Sequence, residues 1–140
     1  MGWFRTRYLL AVGGLGVLLF AANARAHHSF VAVFDRSQPV TVRGVVTEVQ
    51  WSNPHIWFFV DETREDGSVV NWGFSGGAPG ILLRRGIPRD ALEVGDVIIV
   101  QGFRARDGSN NASGGRVTFA DGREVFTASP EDVDPREVPR

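Results

Sequence analysis

A long β-forming run that contains a glycine constrains the fold of this chain more than any other feature. Residues 40–51 read Val-Thr-Val-Arg-Gly-Val-Val-Thr-Glu-Val-Gln-Trp, and Val and Thr, which strands prefer, predominate. Gly44 lies inside this run, and a glycine within a strand often marks a bulge or a sharp bend, as at the corner of a barrel. The run therefore predicts a long first strand that bends near Gly44.

Turn signals divide the following residues into shorter strands. Ser52-Asn53-Pro54 ends the first run, and Asp66-Gly67 is a hairpin signal. Further strands are predicted at residues 55–61, 69–74 and 97–103, with a pair at 116–120 and 123–126. The strand at 97–103 is apolar on both faces, which predicts a central position. Residues 107–115 are polar and are predicted to form a loop.

The order of these elements predicts a mainly all-β fold. A short helix is predicted over residues 78–85, between the third and fourth strands, with Ile81 and Leu82 turned inward. Three strands, a short helix and further strands are the element order of the OB-fold. A small β-sandwich is the competing fold, but it would not need the helix. The expectation is a small OB-like barrel of five strands.

The first 26 residues have the three parts of a secretory signal peptide. Arg5 and Arg7 are basic, residues 8–22 carry no charge, and Ala24-Arg25-Ala26 is a small-residue cleavage site. The rival interpretation is an uncleaved anchor, but the apolar run is shorter than the roughly 20 residues of a spanning helix. We therefore expect residues 1–26 to be removed, with no stable membrane span afterwards. The domain would occupy residues 27–128, in the periplasm or outside the cell, and residues 129–140 would form an acidic, Pro-rich tail.

Composition excludes several classes of chemistry. The chain has no Cys, which rules out disulfides and thiolate ligands, and all 15 of its basic residues are Arg, which rules out Schiff-base lysines and phosphate-loop motifs. Cleavage would remove three arginines and none of the 16 acidic residues, so the exported domain would be mildly acidic. Nucleic acid is therefore not an expected partner.

No catalytic motif withstands a check of its chemistry, so the protein is not expected to be an enzyme. Residues 73–77 match the G-x-S-x-G nucleophile elbow, but that fold needs a His after the Ser, and no His lies beyond position 55. The connector formed by residues 73–80 explains these glycines instead. The carboxylates Asp61-Glu62, Glu65-Asp66 and Asp121 are expected in solvated turns.

The three histidines of the chain are its most informative polar residues: His27, His28 and His55. If cleavage follows Ala26, the α-amine and Nδ1 of His27 can chelate one metal ion. His28 or His55 would supply a third nitrogen, and Pro54 makes His55 the better candidate by holding it at the start of a strand. Such nitrogen sets suit Cu(II), so the expected ligand is a transition metal, with copper favoured. A structural role stays open, in which His27 and His28 are a polar terminus and His55 bonds a backbone carbonyl.

The tryptophans allow a second kind of site. Trp51, Trp57 and Trp72 fit a barrel core, which is the favoured interpretation, but OB-folds also bind ligands on their second and third strands. Alternation in the second strand places Ile56, Phe58 and Val60 on one face and His55, Trp57, Phe59 and Asp61 on the other. The alternative function is therefore an envelope module that recognises a peptide, a glycan or a partner protein through Trp51, Asn53 and Trp57.

Several short motifs resemble a family of short exported bacterial proteins of unknown function. They are His27-His28-Ser29-Phe30, Phe34-Asp35, the run 42–51 and Asn53-Pro54-His55, with later turns at Gly95-Asp96-Val97 and Asp121-Gly122-Arg123. The resemblance covers about residues 27–126 and is carried by the His-His pair and the Asn-Pro-His motif. It implies a periplasmic β-barrel in which His27, His28, Asn53 and His55 act together, and it implies no known activity.

Overall fold

Seven strands form one sheet within residues 32–128, the part of the chain that the computed structural model describes. The strands are β1 (Phe34–Gln50), β2 (Trp57–Thr63), β3 (Val69–Ser75), β4 (Val97–Ala105), β5 (Asn111–Ser113), β6 (Arg116–Phe119) and β7 (Glu124–Phe126). A short helix, α1 (Pro79–Arg84), and a 3₁₀ turn (Arg89–Ala91) connect β3 to β4. The predicted signal peptide 1–26 and tail 129–140 lie outside the described residues.

Five of the strands pair in a closed ring. β1 pairs with both β2 and β4, β2 pairs with β3, and the short β5 joins β3 to β4. All of these pairings are antiparallel except that of β3 with β5. The predicted all-β class is therefore confirmed, as is the short helix between the third and fourth strands. No helix within residues 32–128 is both long and apolar enough to cross a membrane.

The first strand pairs with a different strand on each of its two edges. From Pro39 to Val45 it pairs with β4, and from Val45 to Gln50 it pairs with β2, with a register shift after Val46. At Gly44 a Cβ atom would collide with the backbone carbonyl of Asp61. The glycine that the sequence singled out thus lies where the strand has no room for a side chain.

The strand that closes the ring was not predicted. Residues 107–115 were expected to form a polar loop, but Asn111–Ser113 form β5, which pairs in parallel with β3. The predicted strand at 116–120 instead forms β6, which lies outside the ring and pairs with β4 and β7. The reason for the error is that β5 has only three residues and one apolar side chain, Ala112, so no alternating pattern marks it.

A core of aliphatic and aromatic side chains fills the ring. Phe58 and Val60 on the inner face of β2 and Ile56 just before this strand are each at most 2% exposed, as the alternation predicted. The ring of Phe58 stacks on that of Phe74, with centroids 5.4 Å apart. The remaining core members are Val42, Val46, Trp72, Leu82, Leu92, Ile98, Val100, Ala112, Val117 and Phe119. Burial of this apolar surface is the main stabilising term of the fold.

The fourth strand is central, as predicted, but only one of its faces is buried. It pairs with β1, β5 and β6, and Ile98 and Val100 point into the core. Val97 and Ile99 lie on the outer face and are 44% and 37% exposed. An apolar run in a strand therefore does not require burial on both sides.

Four aspartates organise the local backbone, Asp35 near the start of β1 and Asp66, Asp107 and Asp121 in exposed turns. Asp35, Asp66, Asp107 and Asp121 each accept a hydrogen bond from the backbone N–H two residues later, at 2.9–3.0 Å. Hydrogen bonds from the side chains and backbone of Ser37, Ser68, Ser109 and Arg123 lower the pKa of these four carboxyls below the usual 3.8. The expectation of turn carboxylates is confirmed for Asp66 and Asp121. It is wrong for Asp61 and Glu62, which belong to β2.

We predict that Gly102→Ala destabilises the protein by about 1–3 kcal/mol, because its Cβ would overlap the Ser113 carbonyl where β5 meets β4. Denaturant unfolding followed by tryptophan fluorescence measures the effect. Gly80→Ala is the matched control, because a Cβ there lies 3.5 Å from Arg84 Nη1 and in a helix. That variant is expected to be neutral or stabilising by up to about 1 kcal/mol. Equal losses in both variants would contradict the prediction.

We also predict that acid weakens the fold through these four aspartates. Their pKa values are lowered on folding, so the stability that they contribute is fully present above the unfolded pKa and is lost as the pH falls below 3.8 through the folded values. A variant with all four changed to Asn keeps the accepting oxygens but cannot titrate. Urea midpoints at pH about 6 and about 3 should therefore fall less for the variant than for the unchanged protein. An equal fall would refute this assignment.

Candidate functional site

His55 lies in the loop between β1 and β2, held by the backbone on both sides. It follows a cis Asn53-Pro54 peptide bond and precedes Ile56, whose side chain is buried at 2% exposure. The N–H of Ile56 donates to the carbonyl of Gly77 at 3.1 Å, and the carbonyl of Ile56 accepts from Gly76 at 2.9 Å. These bonds continue the β2–β3 pairing past its last residues and leave His55 exposed at a defined position.

A single hydrogen bond fixes the orientation of the His55 ring. Its Nδ1 lies 3.0 Å from the carbonyl oxygen of Gly76. A carbonyl can only accept, so Nδ1 carries the hydrogen, and in the neutral ring Nε2 keeps a lone pair. This bond is the structural role that the sequence left open for His55. It is also the arrangement found in metal-bound histidines, in which the second ring nitrogen donates to a carbonyl or carboxylate.

The other two histidines of the predicted metal set, His27 and His28, lie outside the described residues. Within residues 32–128 there is no group of three or more His, Asp or Glu side chains placed to hold a metal ion. Of the three predicted ligands, His55 lies within the described residues, and His27 and His28 precede them.

The three tryptophans have different environments. Trp72 is 7% exposed, stacks on Phe74 and donates from Nε1 to Glu62 Oε2 at 3.0 Å. Trp51 is half-buried and packs against the core. Trp57 is half-buried but lies on the outward-facing side of β2, outside the core cluster. The favoured core interpretation therefore describes Trp51 and Trp72, whereas Trp57 faces away from the core. Asn53, the third residue of the predicted ligand face, is exposed in the loop.

Trp57 has a partner that the sequence analysis did not single out. Its ring and that of Phe59 have centroids 6.4 Å apart and planes inclined by 23°. Both rings reach the neighbouring Gly73, where a Cβ would lie 3.2 Å from Phe59 Cε1 and 3.5 Å from Trp57 Cζ3. The Asn111 Oδ1 atom would lie 2.5 Å from the same Cβ. A side chain at position 73 would thus displace this group, which we call the aromatic pair (Trp57 and Phe59).

Polar side chains border the aromatic pair. On β1, Gln50 lies opposite Trp57 and Glu48 opposite Phe59, and Gln50 Nε2 donates to Glu48 Oε1 at 2.8 Å. Towards the far end of β2, Asn71 Nδ2 donates to Asp61 Oδ1 at 2.7 Å. Asn111 completes the border on β5. These groups comprise amides and carboxylates.

The chain matches the profile of a family of unknown function, DUF6152, over residues 16–115. It belongs to that family. The matched residues include all five strands of the ring and all three histidines, whereas β6 and β7 follow the end of the match. The predicted membership of a family of unknown function is confirmed. A search of curated proteins finds no match.

We predict that the neutral His55 ring is protonated at Nδ1 and not at Nε2, because the Gly76 carbonyl accepts from Nδ1. Long-range ¹H–¹⁵N correlation spectra of the folded protein, recorded well above the pKa of an ordinary histidine, distinguish the two forms. The urea-unfolded protein is the control, since it lacks this carbonyl contact and should show a mixture of the forms. A folded protein with the hydrogen on Nε2 would contradict the described ring orientation.

Proposed function

We propose that this protein is exported to the periplasm or the cell exterior and binds a transition metal, with copper favoured, without catalysing a reaction. Removal of residues 1–26 would expose the α-amine of His27 for chelation. His55 would supply the further imidazole, with help from His28. The His-His pair and the Asn-Pro-His motif would then be the two parts of one ligand set.

The observation that carries the proposal is the hydrogen bond from His55 Nδ1 to the Gly76 carbonyl. It orients the ring and leaves Nε2 as the coordinating nitrogen of an exposed imidazole. Imidazole nitrogens suit Cu(II), and a constrained ring loses less freedom on binding than a mobile one. His55 therefore has the properties that a metal ligand needs.

We predict that the exported protein begins at His27 and binds Cu(II) tightly, which mass spectrometry and calorimetric titration would establish. One extra residue before His27 should weaken binding at least about tenfold, because it removes the terminal amine from the chelate. If the extended protein bound copper equally well, the amino-terminal chelate would be wrong.

Two histidine variants identify the third nitrogen. His55→Gln should reduce copper affinity at least about tenfold, and His28→Gln, the matched control, should reduce it less. Paramagnetic Cu(II) should also broaden the amide resonances of Ile56 and Gly76 before those of β6 and β7. Equal affinity of the His55→Gln variant and the unchanged protein would exclude His55 as a ligand.

A further inference from the structure

We propose that the aromatic pair and its polar border bind a neutral saccharide. The inference is independent of the metal proposal, because it uses no histidine and no residue before β1. Trp57 and Phe59 face outward from β2 and lie outside the core cluster, so burial in the core does not explain them. Both rings are half-buried beside a glycine whose lack of a side chain leaves room for them.

The aromatic rings suit the apolar side of a sugar. The face of an aromatic ring carries a partial negative charge. The C–H groups on one side of a pyranose are slightly positive, so they pack favourably against such a face. Trp57 and Phe59 differ in plane by only 23°, and the two rings together offer a longer surface than either alone. This length suits a chain of sugar units better than a single small molecule.

The border of the aromatic pair suits hydroxyl groups. Gln50 and Asn111 carry amides, which both donate and accept hydrogen bonds, and Glu48 carries a carboxylate, which accepts. Sugar hydroxyls also donate and accept, so they can bond to either kind of group. The carboxylates of Glu48 and Asp61 lie beside the aromatic pair and would repel phosphates and acidic sugars. The charge of this face therefore disfavours an anionic ligand.

A peptide fits this face less well than a saccharide. Extended peptides usually bind by adding a strand to an open sheet edge. β2 is already paired with β1 on one side and with β3 on the other, and β3 is paired with β5 beside Gly73. No backbone edge is thus open at the aromatic pair, and a ligand there must bind through side chains.

The test uses three neutral pentasaccharides as probes, maltopentaose, cellopentaose and penta-N-acetylchitopentaose, titrated to about 5 mM into the purified protein. Binding is followed by the indole resonance of Trp57 and by calorimetry. We expect at least one probe to shift this resonance with saturation below about 5 mM. If no probe shifts it, the proposal is overturned. A penta-arginine peptide that binds the face when the sugars do not would overturn it in favour of a cationic ligand.

Variants separate stacking from a general effect on the fold. Trp57→Ala should lower affinity for the bound sugar about tenfold, whereas Trp57→Phe should retain most of it because a ring remains. Ile99→Ala, which changes an outward side chain on β4, is the matched control and should bind as the unchanged protein does. Unaltered sugar affinity in Trp57→Ala, or equal loss in Ile99→Ala, would overturn the proposal.

Discussion

The backbones of β4 and β5 lie in close contact at Gly102 and Ser113. This contact helps to position two outward-facing features, the border of the aromatic pair and the loop that carries His55. The side chain of Ser113 accepts the N–H of Phe103 at 3.0 Å, and no Cβ at position 102 fits against the Ser113 carbonyl. This contact closes the ring with a strand of only three residues. β5 also brings Asn111 over Gly73, so the same closure forms the border of the aromatic pair.

The position of His55 depends on the same region through a series of backbone hydrogen bonds. Gly115 donates to the carbonyl of Gln101, and Thr127 donates to that of Gly115. Gly77 then donates to Thr127 at 2.6 Å, beside the Gly76 carbonyl that His55 contacts. The Thr127 side chain is buried and donates to Gly114 at 3.1 Å, which adds a further constraint. The described end of the domain therefore supports the loop that carries the imidazole.

Sequence reasoning succeeded where a pattern repeated over many residues. The Val- and Thr-rich run predicted β1, and alternation in β2 separated the buried Phe58 from the outward Trp57. It failed where structure depends on contacts distant in sequence. β5 has too few residues for a pattern, and its partners lie on other strands. Residues 73–80 were expected to form a connector, yet β3 continues to Ser75 and a Cβ on Gly76 would lie 2.7 Å from Ile56. The sequence alone does not distinguish a glycine that close packing requires from a glycine that lies in a connector.

Like the fold, the candidate site was predictable from the sequence only in part. The sequence identified His55 and Trp57 and placed them on one side of β2, but Asn111 came from the unrecognised strand. His55 lies in the loop two residues before Trp57, so the imidazole and the first ring of the aromatic pair are neighbours in the chain but distinct in chemistry. One offers a nitrogen lone pair, and the other offers an apolar surface bordered by amides and carboxylates. Because β2 is paired on both edges, their spacing is set by the ring and not by either ligand.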